Sequence, residues 1–253
     1  GARVWGRAGD VIDVLAVFAT LFGLASSLGL GASQAMAGIT YLYGIPNSTL
    51  AIIALIAIMA LVTFFSVRGG IDKGIRFLSE VNMWVALGLI IFLLATGATL
   101  VLLGDIYRNL VAYIQLLPAF SNVFGRNDTG FYNDWTAYYW TWWISWSPFV
   151  GLFMARISIG RTVREFLIAV LLVPSLVSVL WMTAFGGTGI SQLVGDGFTG
   201  VQDAALELKL FAMLAELPLA QISSFIGIVL VIVFFVTSSD SGSLVIDTIT
   251  AGG

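Results

Sequence analysis

The chain alternates between long apolar stretches and shorter polar segments that hold most of its charged residues. Six of the apolar stretches are close to the ~20 residues that a helix needs to cross a bilayer. They lie at about 11–39, 48–67, 81–103, 134–155, 166–188 and 219–238. This pattern predicts six membrane-spanning helices and an all-α integral membrane protein.

A seventh segment, at about 105–124, is amphipathic rather than uniformly apolar. Tyr107, Arg108 and Asn109 recur among leucines and valines at helical spacing, so the segment is expected to be a helix that lies along the membrane surface. The segment 189–218 carries four acidic residues and is expected to contain a short helix outside the membrane. Gly186-Gly187 is expected to end the fifth span with a turn.

Composition supports the membrane assignment and excludes several classes of function. Hydrophobic residues make up 59% of the chain and charged residues 10%, whereas a soluble domain carries about a quarter charged residues. The net charge of −3 and the lack of basic runs exclude nucleic acid as a partner. Cys and His are absent, which excludes disulfides, thiolate chemistry and histidine metal sites. No HExxH or GxSxG motif occurs, so an intramembrane enzyme is disfavoured.

The basic residues are distributed unevenly between alternate polar segments. With the N-terminus in the cytoplasm, the cytoplasmic segments hold Arg3, Arg7, Arg68, Lys73, Arg76, Arg156, Arg161 and Arg164. The outer segments then hold only Arg108, Arg126 and Lys209. Because basic loops remain on the cytoplasmic side, the bias predicts this orientation. It makes the loop 68–76 a cytoplasmic turn, and it gives Arg156 the role of a membrane anchor or of a gate.

The fourth span is unusually aromatic. Five of the chain's eight tryptophans fall between Trp135 and Trp146. At 3.6 residues per turn, one helical face carries Tyr139, Trp142, Trp143, Trp146, Phe149 and Phe153, which we call the aromatic column. Stacked aromatic rings bind a fixed positive charge that cannot donate a hydrogen bond, such as a quaternary ammonium. The alternative is that some of the rings form an interfacial belt.

The aromatic helix contains a proline that removes one backbone hydrogen bond. Pro148 has no amide hydrogen, so the carbonyl of Ile144 loses its helical partner. Ser145 and Ser147 provide hydroxyls that can satisfy the freed backbone groups. A bent helix with free carbonyls beside an aromatic face is typical of binding sites in transporters.

Small and hydroxyl side chains mark the first and last spans. The first span is rich in Gly and Ser, and Ser27 and Gly31 have the spacing that allows close helix packing; alternatively, Thr20, Ser26 and Ser27 offer oxygens to a substrate path. In the last span, Thr237 and Ser238 either hydrogen-bond to a carbonyl of the preceding turn or bind a small cation. Asp240 is either a helix-end residue or part of an ion path.

Several of these segments closely resemble the betaine/choline/carnitine transporter family. The most specific match is Trp140-Thr-Trp-Trp-Ile-Ser-Trp-Ser-Pro-Phe-Val-Gly-Leu-Phe-Met-Ala-Arg-Ile-Ser158, followed by Gly160-Arg-Thr-Val-Arg-Glu-Phe166. The segments around Phe22–Gly31, Asp72–Arg76 and Thr237–Ser241 are similar to that family as well. The resemblance covers nearly the whole chain.

The resemblance implies a secondary transporter with two inverted five-helix repeats. In that scheme, residues 1–104 are the last three spans of the first repeat, 105–132 the amphipathic connector, and 133–253 the first three spans of the second. The chain starts at Gly1 without a methionine and stops after an apolar stretch. We therefore expect it to be an internal piece of a longer protein.

The resemblance also implies roles for individual residues. Trp142, Trp143 and Trp146 match the family's substrate tryptophans, and Trp143 is the best single candidate. The family pattern further suggests that Trp140, Phe149 and Phe153 line the path, and that Phe234, Thr237 and Ser238 bind the cation. One departure concerns a second sodium position, where Thr20 is present but Leu24 cannot coordinate a cation.

The expected function is symport of a quaternary ammonium solute such as glycine betaine or choline. The alternatives are proton-coupled choline uptake, a carrier of amino acids or other solutes with the same fold, and a channel. No cofactor is expected apart from Na⁺ or H⁺ as the coupling ion. By resemblance, the protein is expected in the bacterial inner membrane as a homotrimer.

Overall fold

A computed structural model describes residues 6–68, 76–97, 99–122 and 124–251. This part of the chain is helical and contains no β-strand. The main helices are α1 (Arg7–Tyr43), α2 (Thr49–Arg68), α3 (Arg76–Thr96), α4 (Thr99–Ser121), α5 (Tyr138–Ile157), α6 (Val163–Val194), α7 (Lys209–Ala215) and α8 (Ala220–Ala251). A π-helical segment at Tyr132–Ala137 leads into α5, and a π-helical turn at Ile168–Leu172 lies within α6. Arg3, Lys73 and most of the predicted cytoplasmic turn between Arg68 and Arg76 lie outside the described residues.

The prediction of an all-helical membrane protein is confirmed. In the described ranges, six helices are long and apolar enough to span a membrane. Their set differs from the predicted one in a single member, because α4 qualifies and α5 does not. The Trp, Tyr, Ser and Pro residues of α5 lower its mean hydropathy, although its 20 residues are long enough to cross.

Two predicted helix boundaries in the middle of the chain were wrong. The third span was expected to continue to residue 103, but α3 ends at Thr96 and a new helix starts at Thr99. Gly186-Gly187 was expected to end the fifth span, but α6 continues to Val194. A Cβ atom on Gly187 would lie 2.8 Å from Leu102 Cδ2, so this glycine permits close packing of α4 instead of ending a helix.

The last helix also extends beyond its predicted end. It was expected to end near Ser238, but α8 continues to Ala251. The hydroxyl-rich segment does not interrupt it, because the hydroxyls donate to carbonyls of the preceding turn. Ser241 Oγ donates to the Thr237 carbonyl at 3.0 Å, and Thr248 Oγ1 to the Leu244 carbonyl at 2.8 Å.

Helix α8 lies at the centre of the assembly and packs against α1, α2 and α3. It runs antiparallel to α1, since Gly38 contacts Ile228, Gly31 contacts Phe235, and Leu24 contacts Gly242. A Cβ atom on Gly31 would lie 2.1 Å from the Phe235 ring. The small residues of the first span therefore permit close helix packing, as predicted.

The connector between α3 and α5 returns to the side of the assembly that it left. Near the end of α3, Leu93 packs in one cluster with Leu214, just before α8 begins. Helix α5 runs antiparallel to α1, because Trp142 contacts Ser27 and Trp146 contacts Gly23. The end of α3, the end of α1 and the start of α5 therefore lie on one side.

The segment 189–218 contains short helices at Gly200–Asp203 and Leu206–Leu208 as well as α7, which confirms the prediction of a short helix there.

Candidate functional site

The aromatic column exists, but it divides into two groups of rings in mutual contact. In the upper group, the Tyr139 ring lies 5.4 Å from Trp142 and 6.3 Å from Trp143 between centroids. In the lower group, Phe149 lies 5.1 Å from Trp146 and 6.0 Å from Phe153. All four of these pairs are tilted or edge-on, and edge-on contact is a favoured geometry for aromatic rings.

Two of the tryptophans form the contact between α5 and α1. The indole N–H of Trp142 donates to Ser27 Oγ at 3.0 Å, and Ser27 Oγ in turn donates to the Gly23 carbonyl at 2.8 Å. A Cβ atom on Gly23 would lie 3.0 Å from Ser145 Oγ and from Trp146 Cδ1. Trp146 Nε1 is buried and has no hydrogen-bond partner in the described part of the chain. It is therefore an unsatisfied donor inside the contact between α5 and α1.

The other candidate aromatics differ sharply in exposure. Trp140 and Trp143 are 61% and 62% exposed, whereas Phe149 is 6% exposed and Phe153 is half-buried. The predicted substrate tryptophans thus point in two directions, with Trp142 and Trp146 against α1 and Trp143 away from the assembly. Helical spacing placed all three tryptophans on one broad face of α5. A face this broad includes a side that packs against α1 and a side that stays exposed.

The predicted repair of the backbone at Pro148 is confirmed. Ser147 Oγ donates to the Ile144 carbonyl at 2.7 Å, which is the group that the proline deprives of its partner. Ser145 Oγ donates to the Trp142 carbonyl at 2.6 Å. With these bonds α5 remains a continuous helix through Pro148, so the break and the free carbonyls expected at this proline were wrong.

The candidate cation ligands lie together on α8. Thr237 Oγ1 and Ser238 Oγ both donate to the Phe234 carbonyl, each at 2.9 Å. The hydrogen bonds expected from an ordinary membrane helix are therefore present, and the same three oxygens are the predicted cation ligands. Neutral oxygens of this kind suit a hard monovalent cation. To bind one, the two hydroxyls would rotate their hydrogens away from the Phe234 carbonyl and present their oxygen lone pairs to the ion.

The second sodium position, predicted at Thr20, has fewer oxygen ligands than the position on α8. Thr20 is 1% exposed, and its hydroxyl donates to the Ala16 carbonyl at 2.8 Å. Leu24, one turn later, is 7% exposed and packs against Gly242 of α8. This position therefore provides one hydroxyl and one packing contact, and it lacks a second oxygen ligand from Leu24.

A cavity of about 1170 Å³ lies between α3, α6 and α8. Phe234 and Thr237 of the candidate cation site line it, and Tyr139 at the top of the aromatic column does so as well. Trp142, Trp143 and Trp146 are not among its lining residues. Helix α1 lies beside both groups, since Ser27 contacts α5 and Gly31 contacts α8.

At the far end of α5, the candidate gate residue forms one long contact. Arg156 is exposed, and its Nη1 donates to Thr248 Oγ1 of α8 at 3.4 Å. This contact links the ends of the two helices that carry the candidate substrate and cation residues.

An ion pair lies within the connector before α5. Arg126 donates to both carboxylate oxygens of Asp128, and its guanidinium lies 5.6 to 6.0 Å from the ring centroids of Phe120, Phe131 and Tyr132. The hydrogen bonds from Arg126 lower the pKa of the Asp128 carboxyl.

Three polar residues were missed as candidates by sequence reasoning. Gln34 and Asn82 line the cavity, and Asn82 Oδ1 is buried without a hydrogen-bond partner in the described ranges. Ser66 donates to Asp240 across the α2–α8 contact. The available signal was an isolated polar residue within an apolar stretch, which in a membrane helix indicates a functional position.

Comparison with known proteins gives a consistent family assignment. The family model described as BCCT, betaine/carnitine/choline family transporter, matches residues 1–253. A glycine betaine/proline/choline transporter of Vibrio parahaemolyticus is 55% identical over 253 residues, which cover 100% of this chain and 46% of that protein.

Two further relatives agree with this match. Glycine betaine transporter 1 of the same organism is 51% identical over 259 residues, covering 100% of this chain and 49% of that protein. A glycine betaine transporter of Bacillus subtilis is 41% identical over 256 residues, covering 100% of this chain and 50% of that protein. The chain spans about half the length of the curated relatives it matches.

Proposed function

Because the chain belongs to the betaine/carnitine/choline family of transporters, we propose that the full-length protein is a symporter of quaternary ammonium solutes such as glycine betaine or choline. The transport cycle proposed is alternating access between two inverted repeats, to which residues 1–104 and 133–253 contribute three spans each. In this proposal the protein is a homotrimer in the bacterial inner membrane, and the N-terminus of this chain faces the cytoplasm.

The observation that carries the proposal is the aromatic column of α5. A trimethylammonium group has no N–H to donate, so it gains most from desolvated π faces, at about 0.5–2 kcal/mol per ring. Trp142 and Trp146 form the wall toward α1, and the exposed rings of Trp143 and Trp140 face outward. We place the opposite wall of the site in the part of the longer protein that relatives carry beyond the matched half.

The coupling ion proposed is Na⁺ at Phe234, Thr237 and Ser238. The support is that one carbonyl and two hydroxyl oxygens already meet within hydrogen-bonding distance. An ion bound there favours the loaded state and allows its gradient to drive accumulation. Proton coupling is the second candidate, because Leu24 leaves the position beside Thr20 without its second hydroxyl.

Uptake by the full-length protein in liposomes tests this function. Glycine betaine, choline and carnitine would be compared with Na⁺ or K⁺ outside, at fixed pH. Saturable accumulation that is faster in Na⁺ is the expected result, whereas non-saturable flux would indicate a channel. Equal rates in the two salts would overturn sodium coupling, and a response to an imposed pH gradient would then favour proton coupling.

Substitution of Trp143 tests the substrate site. Trp143→Ala is expected to raise KM about 2- to 30-fold, and Trp143→Phe, which keeps a π face, to raise it less. Trp84→Ala is the matched control, because Trp84 is 66% exposed and lies on α3, outside the aromatic column. An unchanged KM in Trp143→Ala would favour the alternative of a carrier for another solute, in which the aromatic rings serve packing alone.

A further inference from the structure

Asp240 is a fully buried carboxyl group within the membrane-spanning helix α8. Its residue exposure is 0%. Ser66 Oγ of α2 donates to its Oδ2 at 2.6 Å, while Oδ1 has no hydrogen-bond partner in the described part of the chain. Burying a charged group without compensation is costly, so this free oxygen requires an explanation.

In the part of the chain that the structure describes, Asp240 has no basic partner. Within the described residues, no lysine or arginine forms an ion pair with it. Val236, one turn earlier, is 1% exposed, and Leu24 of α1 covers Gly242 just beyond. Apolar neighbours lower the local dielectric constant and strengthen any electrostatic interaction that the carboxylate makes.

The candidate cation site on the same helix lacks a negative charge, whereas Asp240 lacks a positive one. Phe234, Thr237 and Ser238 contribute only neutral oxygens, so a cation bound there has no counter-charge among its predicted ligands. Asp240 lies three positions after Thr237, and residues at this spacing are neighbours on a helix surface. Ser238, two positions before Asp240, faces another side of the helix, so the carboxylate would act on a bound cation from the Thr237 side, through its charge in a low-dielectric interior and not by direct contact.

We propose that Asp240 is a positioning residue that provides the counter-charge for the coupling cation, and that Ser66 holds its carboxylate in place from α2. The inference rests on the proposed sodium site and identifies what gives that site its affinity. It also gives the hydrogen bond between α2 and α8 a role in ion binding. No covalent step is involved, and the carboxylate acts through its charge.

The test measures sodium dependence in the full-length protein with Asp240→Asn. Asparagine keeps the shape and can still accept a hydrogen bond from Ser66, so the variant removes mainly the charge. The expected result is a rise of about tenfold or more in the Na⁺ concentration for half-maximal uptake. The KM for glycine betaine at saturating Na⁺ should change less than about twofold.

A binding readout separates ion affinity from transport. Thermal unfolding in detergent would be followed with increasing NaCl, against KCl at equal ionic strength. Wild type is expected to gain stability from Na⁺ specifically, and Asp240→Asn to lose most of that gain. Asp247→Asn, an exposed carboxylate two turns further along α8, is the matched control and should behave as wild type.

Two further variants keep the test decisive if Asp240→Asn folds poorly. Asp240→Glu retains the charge and should restore much of the sodium response. Ser66→Ala, which removes the positioning hydrogen bond, should raise the half-saturating Na⁺ concentration about two- to fivefold. A wild-type sodium response in Asp240→Asn, or in Ser66→Ala when the former does not fold, would overturn the inference.

The failure of this inference differs from the failure of the proposed coupling. If wild type neither transports faster in Na⁺ nor gains stability from it, the sodium site itself is wrong, and this inference falls with it. If wild type responds to Na⁺ and Asp240→Asn responds equally, only the role of Asp240 is refuted.

Discussion

The indole N–H of Trp142 donates a hydrogen bond to the hydroxyl of Ser27 across 3.0 Å and thereby links α5 to α1. Ser27 is 2% exposed and passes its own hydrogen to the Gly23 carbonyl at 2.8 Å. Both residues were candidates for the substrate path from sequence alone. In the structure they form an interhelical contact that fixes the orientation of one tryptophan of the aromatic column.

This contact predicts an energetic coupling between the two residues. Trp142→Phe keeps an aromatic ring and removes the N–H donor, and Ser27→Ala removes the acceptor. A double-mutant cycle on thermal unfolding in detergent should give a coupling free energy of about 0.5–1.5 kcal/mol. Trp143→Phe, at an exposed tryptophan next to it, should show no coupling to Ser27→Ala; additivity at Trp142 would contradict the contact.

The contact between α1 and α8 predicts contrasting effects at two glycines. Gly31→Ala places a Cβ 2.1 Å from the Phe235 ring, whereas nothing lies within 4 Å of a Cβ on Gly29. Both changes gain similar helix propensity, so the difference between the variants isolates the clash. We expect Gly31→Ala to be less stable than Gly29→Ala by about 1–3 kcal/mol, measured by thermal unfolding. Equal stability would show that the two helices are less closely packed.

The hydroxyl of Ser238 is predicted to matter for ion binding more than for folding. Ser238→Ala removes one of three candidate oxygen ligands and is expected to raise the Na⁺ concentration for half-maximal uptake about tenfold. Ser243→Ala is the control, since Ser243 is exposed on the same helix one turn beyond. If both variants keep the wild-type sodium dependence, Ser238 only satisfies the backbone of its own helix.

The ion pair on the connector predicts a loss of local order in acid. Hydrogen bonds from Arg126 hold the pKa of Asp128 below its ordinary range. The stabilisation from the ionised Asp128 is thus present at neutral pH. It is lost as the pH falls below about 4, the ordinary pKa of an aspartate, and through the lowered pKa of Asp128 in the folded protein. Hydrogen exchange, corrected for intrinsic rates, should show reduced protection of the Tyr132 amide, which donates to the Asp128 carbonyl.

A matched pair of variants checks this assignment. Asp128→Asn should reduce the protection of the connector already at pH 7 and remove its acid dependence. Asp134→Asn, at a nearby exposed carboxylate, should leave both unchanged. Full protection in Asp128→Asn would mean that the aromatic rings around Arg126 order the connector by themselves.

The sequence predicted features that depend on composition and on near neighbours. Helical spacing identified the aromatic column, and the missing amide of Pro148 correctly indicated that a serine hydroxyl would satisfy the Ile144 carbonyl. These features follow from local geometry, which one segment determines. The glycine-rich first span likewise indicated close packing as one of its two interpretations, although the neighbouring helix was unknown.

Features that depend on contacts between distant segments could not be predicted in the same way. Gly186-Gly187 has the signature of a helix end, yet Gly187 packs against Leu102 within a continuous helix. Helical spacing could not separate Trp142 from Trp143, because only the position of α1 decides which ring is covered. The pairing of Ser66 with Asp240 joins residues 174 positions apart, so no local pattern reveals it.

Helix α1 contacts the candidate solute residues and the candidate ion residues through adjacent strips of one face, with Gly23 and Ser27 toward α5 and Gly31 toward α8. A shift of α5 would therefore act on the same helix that supports α8. If this shared support couples the two sites, thermodynamic reciprocity fixes its form. Sodium must then tighten solute binding by the same factor by which solute tightens sodium binding, and a substitution that loosens α1 should reduce both factors together.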